Sequence, residues 1–259
     1  MPLIDTAFAD DVGTIVLNNP AKRNALSHGL IDEISQALDD LRQRKARAVV
    51  LRAPAGCRVW SAGHDIDELP NAGRDPLGWG DSLRVLVRSI QTFPAPVLAL
   101  LEGGVWGGAC ETAMACDILV ATPNTTFAIT PAKLGIPYNL SGLLTLVNTV
   151  PLAVAREMLF TAQPIPAAQA LNLGMINYIK AADEIETFVY GVARQIAANA
   201  PLSITVMKEE LRLLAGAHPI SPELFERIQG LRRTVYDSDD YQEGLNSFRG
   251  KRKPVFRGA

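Results

Sequence analysis

The chain has 259 residues, enough for one large α/β domain or for one domain with a small appendage. Hydrophobic residues make up 48% and charged residues 20%, which excludes a disordered chain, and a net charge of -2 gives no global attraction to nucleic acid. No apolar run is long enough to span a bilayer and the first residues carry acids in place of a basic leader, so a cytoplasmic protein with no membrane partner is expected.

Up to Pro151 the pattern alternates between strand and helix. Residues 14–18 read as a strand, and Ser27 is placed to cap a helix whose Leu30, Ile31, Ile34, Leu38 and Leu41 recur at helical spacing on one face. Segments 48–52, 97–101, 117–122 and 127–129 read as further strands. Strands this apolar need cover on both faces, so the pattern predicts parallel pairing with helical crossovers, an α/β fold. The stretch 69–80, rich in glycine, proline and asparagine, reads as a mobile loop.

After Pro151 the pattern predicts a helix over 153–161 and another that opens at Pro166 and stops at Gly174. Beyond Asp183 it predicts three helical segments and no strand. The chain thus divides into a catalytic core, 1–182, and a helical region, 183–259, of the kind that packs against another subunit.

Cys57, Cys110 and Cys116 show no CxxC spacing and read as reduced thiols. His28, His64 and His218 are scattered, so no metal site is expected. The informative segments are two glycine turns that follow apolar runs, Ser61-Ala-Gly-His-Asp-Ile66 and Glu102-Gly-Gly-Val-Trp-Gly-Gly-Ala-Cys-Glu111. Gly107 and Gly108 allow close backbone approach, and a helix over 109–115 sets the local N–H groups at the positive end of its dipole. The first turn offers the N–H of His64. Two such amides converging on a thioester oxygen hold it best when it carries enolate charge. Dinucleotide binding is set aside, because the spacing from Gly103 to Gly108 misses G-x-G-x-x-G and the next strand ends without a ribose-binding acid.

Ser61 to Ile66, Trp106-Gly-Gly-Ala-Cys-Glu111, Cys116-Asp117 and Leu134-Gly-Ile-Pro137, in this order and spacing, resemble the enoyl-CoA hydratase/isomerase family, the crotonases. The resemblance covers nearly the whole chain. It implies a spiral of ββα units and a C-terminal helical region that builds homotrimers, often paired as homohexamers. It also implies an acyl-CoA substrate, no separate cofactor, and an oxyanion hole made by the backbone N–H groups of His64 and Gly108.

Hydratases of the family use two glutamates. The first is present as Glu111; the second position falls on Pro131, which neither accepts nor delivers a proton. Water addition needs acid and base together, so it is poorly served here. An oxyanion hole without a strong base suits decarboxylation of a malonyl-type thioester, which makes its own enolate by losing carbon dioxide. His64-Asp-Ile66 with Glu68-Leu-Pro70, Gly73-Arg-Asp-Pro-Leu77, Gly135-Ile-Pro-Tyr-Asn-Leu140 and Tyr236-Asp-Ser-Asp-Asp-Tyr-Gln-Glu-Gly244 are similar to the family's decarboxylating branch. That similarity implies methylmalonyl-CoA as substrate and propionyl-CoA as product. Tyr138 would orient the carboxylate, and Thr130 would contact substrate near the point of protonation or cap the turn at Pro131.

The same resemblance gives the loop of Asp65, Ile66, Asp67 and Glu68 to coenzyme A, with the backbone of Asp65 and Ile66 meeting its adenine. It gives Lys251, within the basic cluster Lys251-Arg252-Lys253, to coenzyme A as well, while Lys22 and Arg23 serve either its phosphates or solvent. His64 is expected to act through its backbone and not its imidazole, and Glu111 as a structural helix residue. Two other readings stay open: a hydratase or isomerase of an unusual acyl-CoA with Glu111 alone as acid and base, and a CoA- or RNA-binding relative without catalysis. The near-neutral charge and the lack of a lysine-rich helix speak against RNA.

Overall fold

The computed structural model describes residues 2–69, 80–216 and 221–257. Four strand–strand–helix units follow one another. Strands β1 (Ile4–Ala9) and β2 (Val12–Leu17) precede helix α1 (His28–Gln43); β3 (Ala48–Arg52) and β4 (Val59–Ser61) precede α2 (Ser82–Gln91). Strands β5 (Val97–Leu101) and β6 (Gly104–Trp106) precede α3 (Gly108–Met114); β7 (Ile118–Ala121) and β8 (Thr126–Ala128) precede α4 (Leu140–Thr149) and α5 (Leu152–Thr161). Then come β9 (Ile165–Pro166), α6 (Ala167–Asn172) and β10 (Tyr178–Ile179). Helices α7 (Ile185–Ala197), α8 (Pro201–Ala215), α9 (Pro222–Tyr236) and α10 (Asp239–Arg249) complete the described chain.

The strands divide between two sheets. The larger runs β1-β2-β3-β5-β7-β10 and the smaller β4-β6-β8-β9; within each unit from β3 onward the first strand joins the larger sheet and the second the smaller. Pairing is parallel except at β1 with β2 and β8 with β9. From β3 onward each unit therefore steps once along both sheets, which makes the chain a spiral.

The apolar runs are explained by cover on both faces. Along β3 and β5, Val49, Leu51, Val97, Ala99 and Leu101 enter the main core with α1 and α2, while Ala48, Val50, Leu98 and Leu100 pack under Ile185, Val189 and Ala193 of α7. Helix α1 follows its sequence pattern: Ser27 accepts from the N–H of Leu30, and Leu30, Ile31, Ile34, Leu38 and Leu41 are buried. Because α7 covers the larger sheet, the helical region beyond Asp183 begins as a layer of the core.

The structure adds elements the pattern did not announce. Strand β1 is an edge strand with mostly exposed side chains, so it lacks an apolar run. Strands β4 and β6 have three residues each, β4 leading into the first glycine turn and β6 lying within the second. Helix α2 was missed although Leu83, Leu86, Val87 and Ile90 are spaced for it and Asp81 caps it. Four helices, not three, follow Asp183 among the described residues, because Ser238 caps a new helix directly after α9. Pro166 ends β9 and caps α6 instead of opening it, and Gly174 takes φ +75° just past its end. Of the loop read at 69–80, residues 70–79 lie outside the described residues, as does the segment Gly73 to Leu77; so does His218.

The C-terminal helices reach back to the site through a third cluster of Leu69, Ile136, Tyr236, Tyr241 and Leu245. There Gly244 of α10 lies against the backbone of Leu134, and a Cβ on Gly244 would be driven onto the Leu134 carbonyl. Gly244→Ala is expected to lower stability by about 1–3 kcal/mol through this backbone clash. Denaturant unfolding of the two proteins measures it, and identical midpoints and slopes would show that the contact is not this close.

Candidate active site

The two glycine turns meet back to back. Gly63 has φ +86°, and a Cβ there would collide with the Trp106 carbonyl and come within 2.8 Å of the Gly108 nitrogen. Gly107, at φ +55°, donates its N–H to the Ala128 carbonyl at 2.8 Å and hands the chain to α3 at Gly108. The nitrogen of His64 lies 3.4 Å from where a Cβ on Gly108 would sit. Among the described residues neither the His64 nor the Gly108 amide donates to a protein acceptor. The first is fixed from outside by Leu26, which pairs with the residues on either side of His64. The result is a pair of neighbouring, unengaged donors.

Two cavities flank them and share Ala62, His64, Ile66, Thr130 and Leu134. The smaller, of about 60 Å³, is lined by Gly108, Glu111, Tyr138, Leu83, Ile136 and Pro131 besides the shared residues. The larger, of about 590 Å³, runs outward past Asp65, Asp67, Lys22, Lys133, Phe248 and Arg252. His64, Gly108, Thr130 and Tyr138, which sequence reading assigned to chemistry, thus line one cavity.

Tyr138 is buried and its hydroxyl has no hydrogen-bond partner among the described residues; burial, with Glu111 beside it, pushes the phenol well above its ordinary pKa. Its ring has room because residue 142 is glycine: a Cβ there would lie 2.7 Å from the ring and 3.1 Å from Glu111 Oε2. Thr130 occupies the capping position before the Pro131–Leu134 turn, yet its side chain makes no capping bond, so the hydroxyl is left to the cavities.

Glu111, expected as a structural helix residue that pairs with a neighbour, is held by two neighbours at the wall of the smaller cavity. Its carboxyl, fully buried, forms part of the cavity wall. Asn139 Nδ2 donates to Oε2 at 2.5 Å and Ser141 Oγ donates to Oε1 at 3.0 Å. Asn139 also caps α4 by accepting from the Gly142 N–H at 2.6 Å, which orients its amide toward Glu111. Burial pushes the Glu111 carboxyl above the usual range, against the pull of Asn139 and Ser141. Sequence reading missed Asn139 and Ser141 as a pair, because nothing in their spacing shows that α4 will face α3.

The His64 ring is engaged as well. Nδ1 lies 3.0 Å from the Asp65 carbonyl oxygen and Nε2 lies 3.6 Å from Asp81 Oδ2, with both side chains largely buried. Burial pulls the imidazole down, but Asp81, the Asp65 carbonyl and Glu68 together hold it above the ordinary histidine value.

The residues expected at coenzyme A separate. Asp65, Ile66 and Asp67 line the larger cavity, where Lys22 Nζ bridges the Asp65 and Asp67 carboxylates at 2.9 and 3.3 Å. Glu68 turns away and accepts from the His28 backbone N–H at 2.7 Å. Lys251 sits exposed in a left-handed turn after α10 and is not part of the cavity wall; its neighbour Arg252 is, held by both Glu243 oxygens at 2.6 Å. Such a site, two donors at the bottom of a long partly basic channel, suits a thioester carried on a long phosphorylated tail.

Comparison with known proteins agrees with this geometry. The sequence pattern of the family described as Enoyl-CoA hydratase/isomerase matches residues 7–259. The chain is 48% identical to methylmalonyl-CoA decarboxylase of Escherichia coli (strain K12), over 98% of both chains. It is 30% identical to a probable enoyl-CoA hydratase of Bacillus subtilis (strain 168), over the full length of both. Its structure is similar to that of methylmalonyl-CoA decarboxylase in complex with 2-nitronate-propionyl-CoA, with a TM-score of 0.97 at 47% identity and 99% of both chains covered.

Proposed function

The chain belongs to the enoyl-CoA hydratase/isomerase family, and from that premise we propose that it decarboxylates methylmalonyl-CoA to propionyl-CoA and carbon dioxide. The observation that carries this reading is the smaller cavity. It combines two free amides and an unpartnered phenol with a proline, Pro131, where water addition would need a second carboxylate.

In the reaction the bond between the α-carbon and the carboxylate breaks, and its electron pair moves through the α-carbon onto the thioester oxygen. The N–H groups of His64 and Gly108 form an oxyanion hole that favours the charged enolate over the neutral carbonyl, by about 3 kcal/mol per donor. The Tyr138 hydroxyl donates to the carboxylate and turns it out of the thioester plane. Leu69, Leu83 and Ile136 keep water from the carboxylate, which favours its loss as neutral carbon dioxide. A proton added at the α-carbon, beside Thr130, completes propionyl-CoA. No biotin, metal or nucleotide takes part.

Coenzyme A follows the larger cavity, its adenine against the backbone of Asp65 and Ile66 and its phosphates near Lys22, Arg23, Lys133 and Arg252. In this reading the enzyme is cytoplasmic and a homotrimer, or a hexamer of two trimers. Helix α8 supports the assembly: Met207, Leu211 and Leu214, at i, i+4 and i+7, are 51%, 68% and 73% exposed, an apolar face of the kind that another subunit covers.

Incubation with methylmalonyl-CoA, without added metal or cofactor, is expected to yield propionyl-CoA and carbon dioxide, while crotonyl-CoA is left unhydrated. Hydration of crotonyl-CoA with no carbon dioxide from methylmalonyl-CoA would defeat the proposal. Tyr138→Phe, which keeps the ring and removes only the hydroxyl, is expected to lower kcat by roughly tenfold or more with a smaller effect on KM. Equal constants for mutant and parent remove Tyr138 from the mechanism. Light scattering is expected to give the mass of three or six chains, and the mass of one chain would end the proposed assembly.

A further inference from the structure

Sequence reading assigns His64 only its backbone amide, yet the residue lines both cavities. Both ring nitrogens face oxygen: Nδ1 the Asp65 carbonyl at 3.0 Å, Nε2 the Asp81 carboxylate at 3.6 Å. Asp81 divides its two oxygens. Oδ1 caps α2 by accepting the N–H groups of Leu83 and Arg84 at 2.9 and 3.3 Å, which leaves Oδ2 to the imidazole.

A neutral imidazole has one donor and one acceptor. With its proton on Nδ1, the Nε2 lone pair would point at a buried carboxylate. With its proton on Nε2, the Nδ1 lone pair would point at the Asp65 carbonyl. Only the doubly protonated ring puts a proton between each ring nitrogen and the oxygen that it faces, and that form also sets a positive charge beside the buried Asp81 carboxylate. The Nε2 atom has no hydrogen-bond partner among the described residues, so the acceptor that it faces at ion-pair distance is Asp81 Oδ2.

We infer that the His64 imidazole stands as a cation, locked between the Asp65 carbonyl and Asp81, and that this fixed charge serves the carboxylated thioester. The inference rests on the decarboxylase reading of the same site. The substrate carries one more negative charge than its product, and during reaction that charge moves from the carboxylate toward the thioester oxygen held by the His64 amide. A cation beside that amide attracts the incoming anion and favours the enolate without transferring a proton. His64 then acts twice, its backbone as a donor and its ring as a charge.

The charged and titratable groups around the ring are Asp81 at the start of α2 and Glu68 on the following turn, which both favour the cation. Glu111 and Tyr138 line the smaller cavity with His64, and Lys22, Arg23, Asp65, Asp67, Lys133 and Arg252 line the larger. The sign follows from a folded-state pKa held above the unfolded one. The cation is complete at low pH and is lost as pH rises through the folded value, so activity should fall on the alkaline side.

Nitrogen-15 NMR of the histidine rings tests the charge directly, with His64→Asn identifying the His64 signals. Two protonated ring nitrogens at neutral pH are expected, titrating above the other histidines, with Asp81→Asn moving that titration to lower pH. A single neutral tautomer at neutral pH, or a titration indifferent to Asp81→Asn, overturns the inference. In kinetics His64→Asn and His64→Gln both keep the amide and remove the charge. Each is expected to lower kcat/KM for methylmalonyl-CoA by roughly tenfold and to remove the alkaline fall, while propionyl-CoA binds within about twofold of the parent. Profiles that match the parent in both variants refute the role of the ring. Should the parent itself release no carbon dioxide, the decarboxylase reading fails and the role fails with it, whereas the state of the ring is settled by NMR alone.

Discussion

The site depends on one close approach between backbones. Gly63 brings its segment onto the backbone of Trp106 and Gly108 at a separation that no side chain on residue 63 would tolerate, and the amides of His64 and Gly108 emerge side by side with no acceptor among the described residues. Backbone donors held this way do not reorganise when charge develops in front of them, which makes a fixed pair more useful than flexible side chains. The spiral is what delivers them. Strands β4 and β6 are adjacent in the smaller sheet and pair in parallel, so the turns that follow them leave the sheet on the same side.

Around that pair, each buried polar group is accounted for by a neighbour or by the chemistry. Glu111 is bonded by Asn139 and Ser141, and Asp81 divides its oxygens between the cap of α2 and the His64 ring. Two buried atoms of the cavity side chains have no hydrogen-bond partner among the described residues: His64 Nε2, which faces Asp81 at 3.6 Å, and the Tyr138 hydroxyl. A buried hydroxyl without a bond is costly to folding, and a substrate carboxylate is the group that would satisfy it.

The C-terminal helices belong to this arrangement. Tyr236, Tyr241 and Leu245 anchor them to Leu69 and Ile136, and Arg232 donates to the Tyr138 carbonyl at 2.7 Å. Phe248 and Arg252 continue the outer wall of the larger cavity. A helical region that covers a sheet with α7 and walls a channel with α10 gives the channel its length.

Much of this was legible in the linear chain. Apolar runs at 48–52 and 97–101 declared two-sided burial, Ser27 declared the start of α1, and the glycines at 63, 107 and 108 declared turns with exposed amides, because burial, capping and left-handed backbone each leave a local mark. The proline at 131 likewise argued against hydration before any coordinates did. What the linear chain did not carry were distances between elements far apart along it: Asn139 and Ser141 reaching Glu111, Asp81 facing the His64 ring, Lys251 turning to solvent while Arg252 meets the channel. Residue types and short spacings determine which chemistry is possible, since they act within a few positions. Charge states, and the side chains that share a cavity, were decided only by packing, because burial and the approach of oppositely charged groups exist only once the spiral has closed.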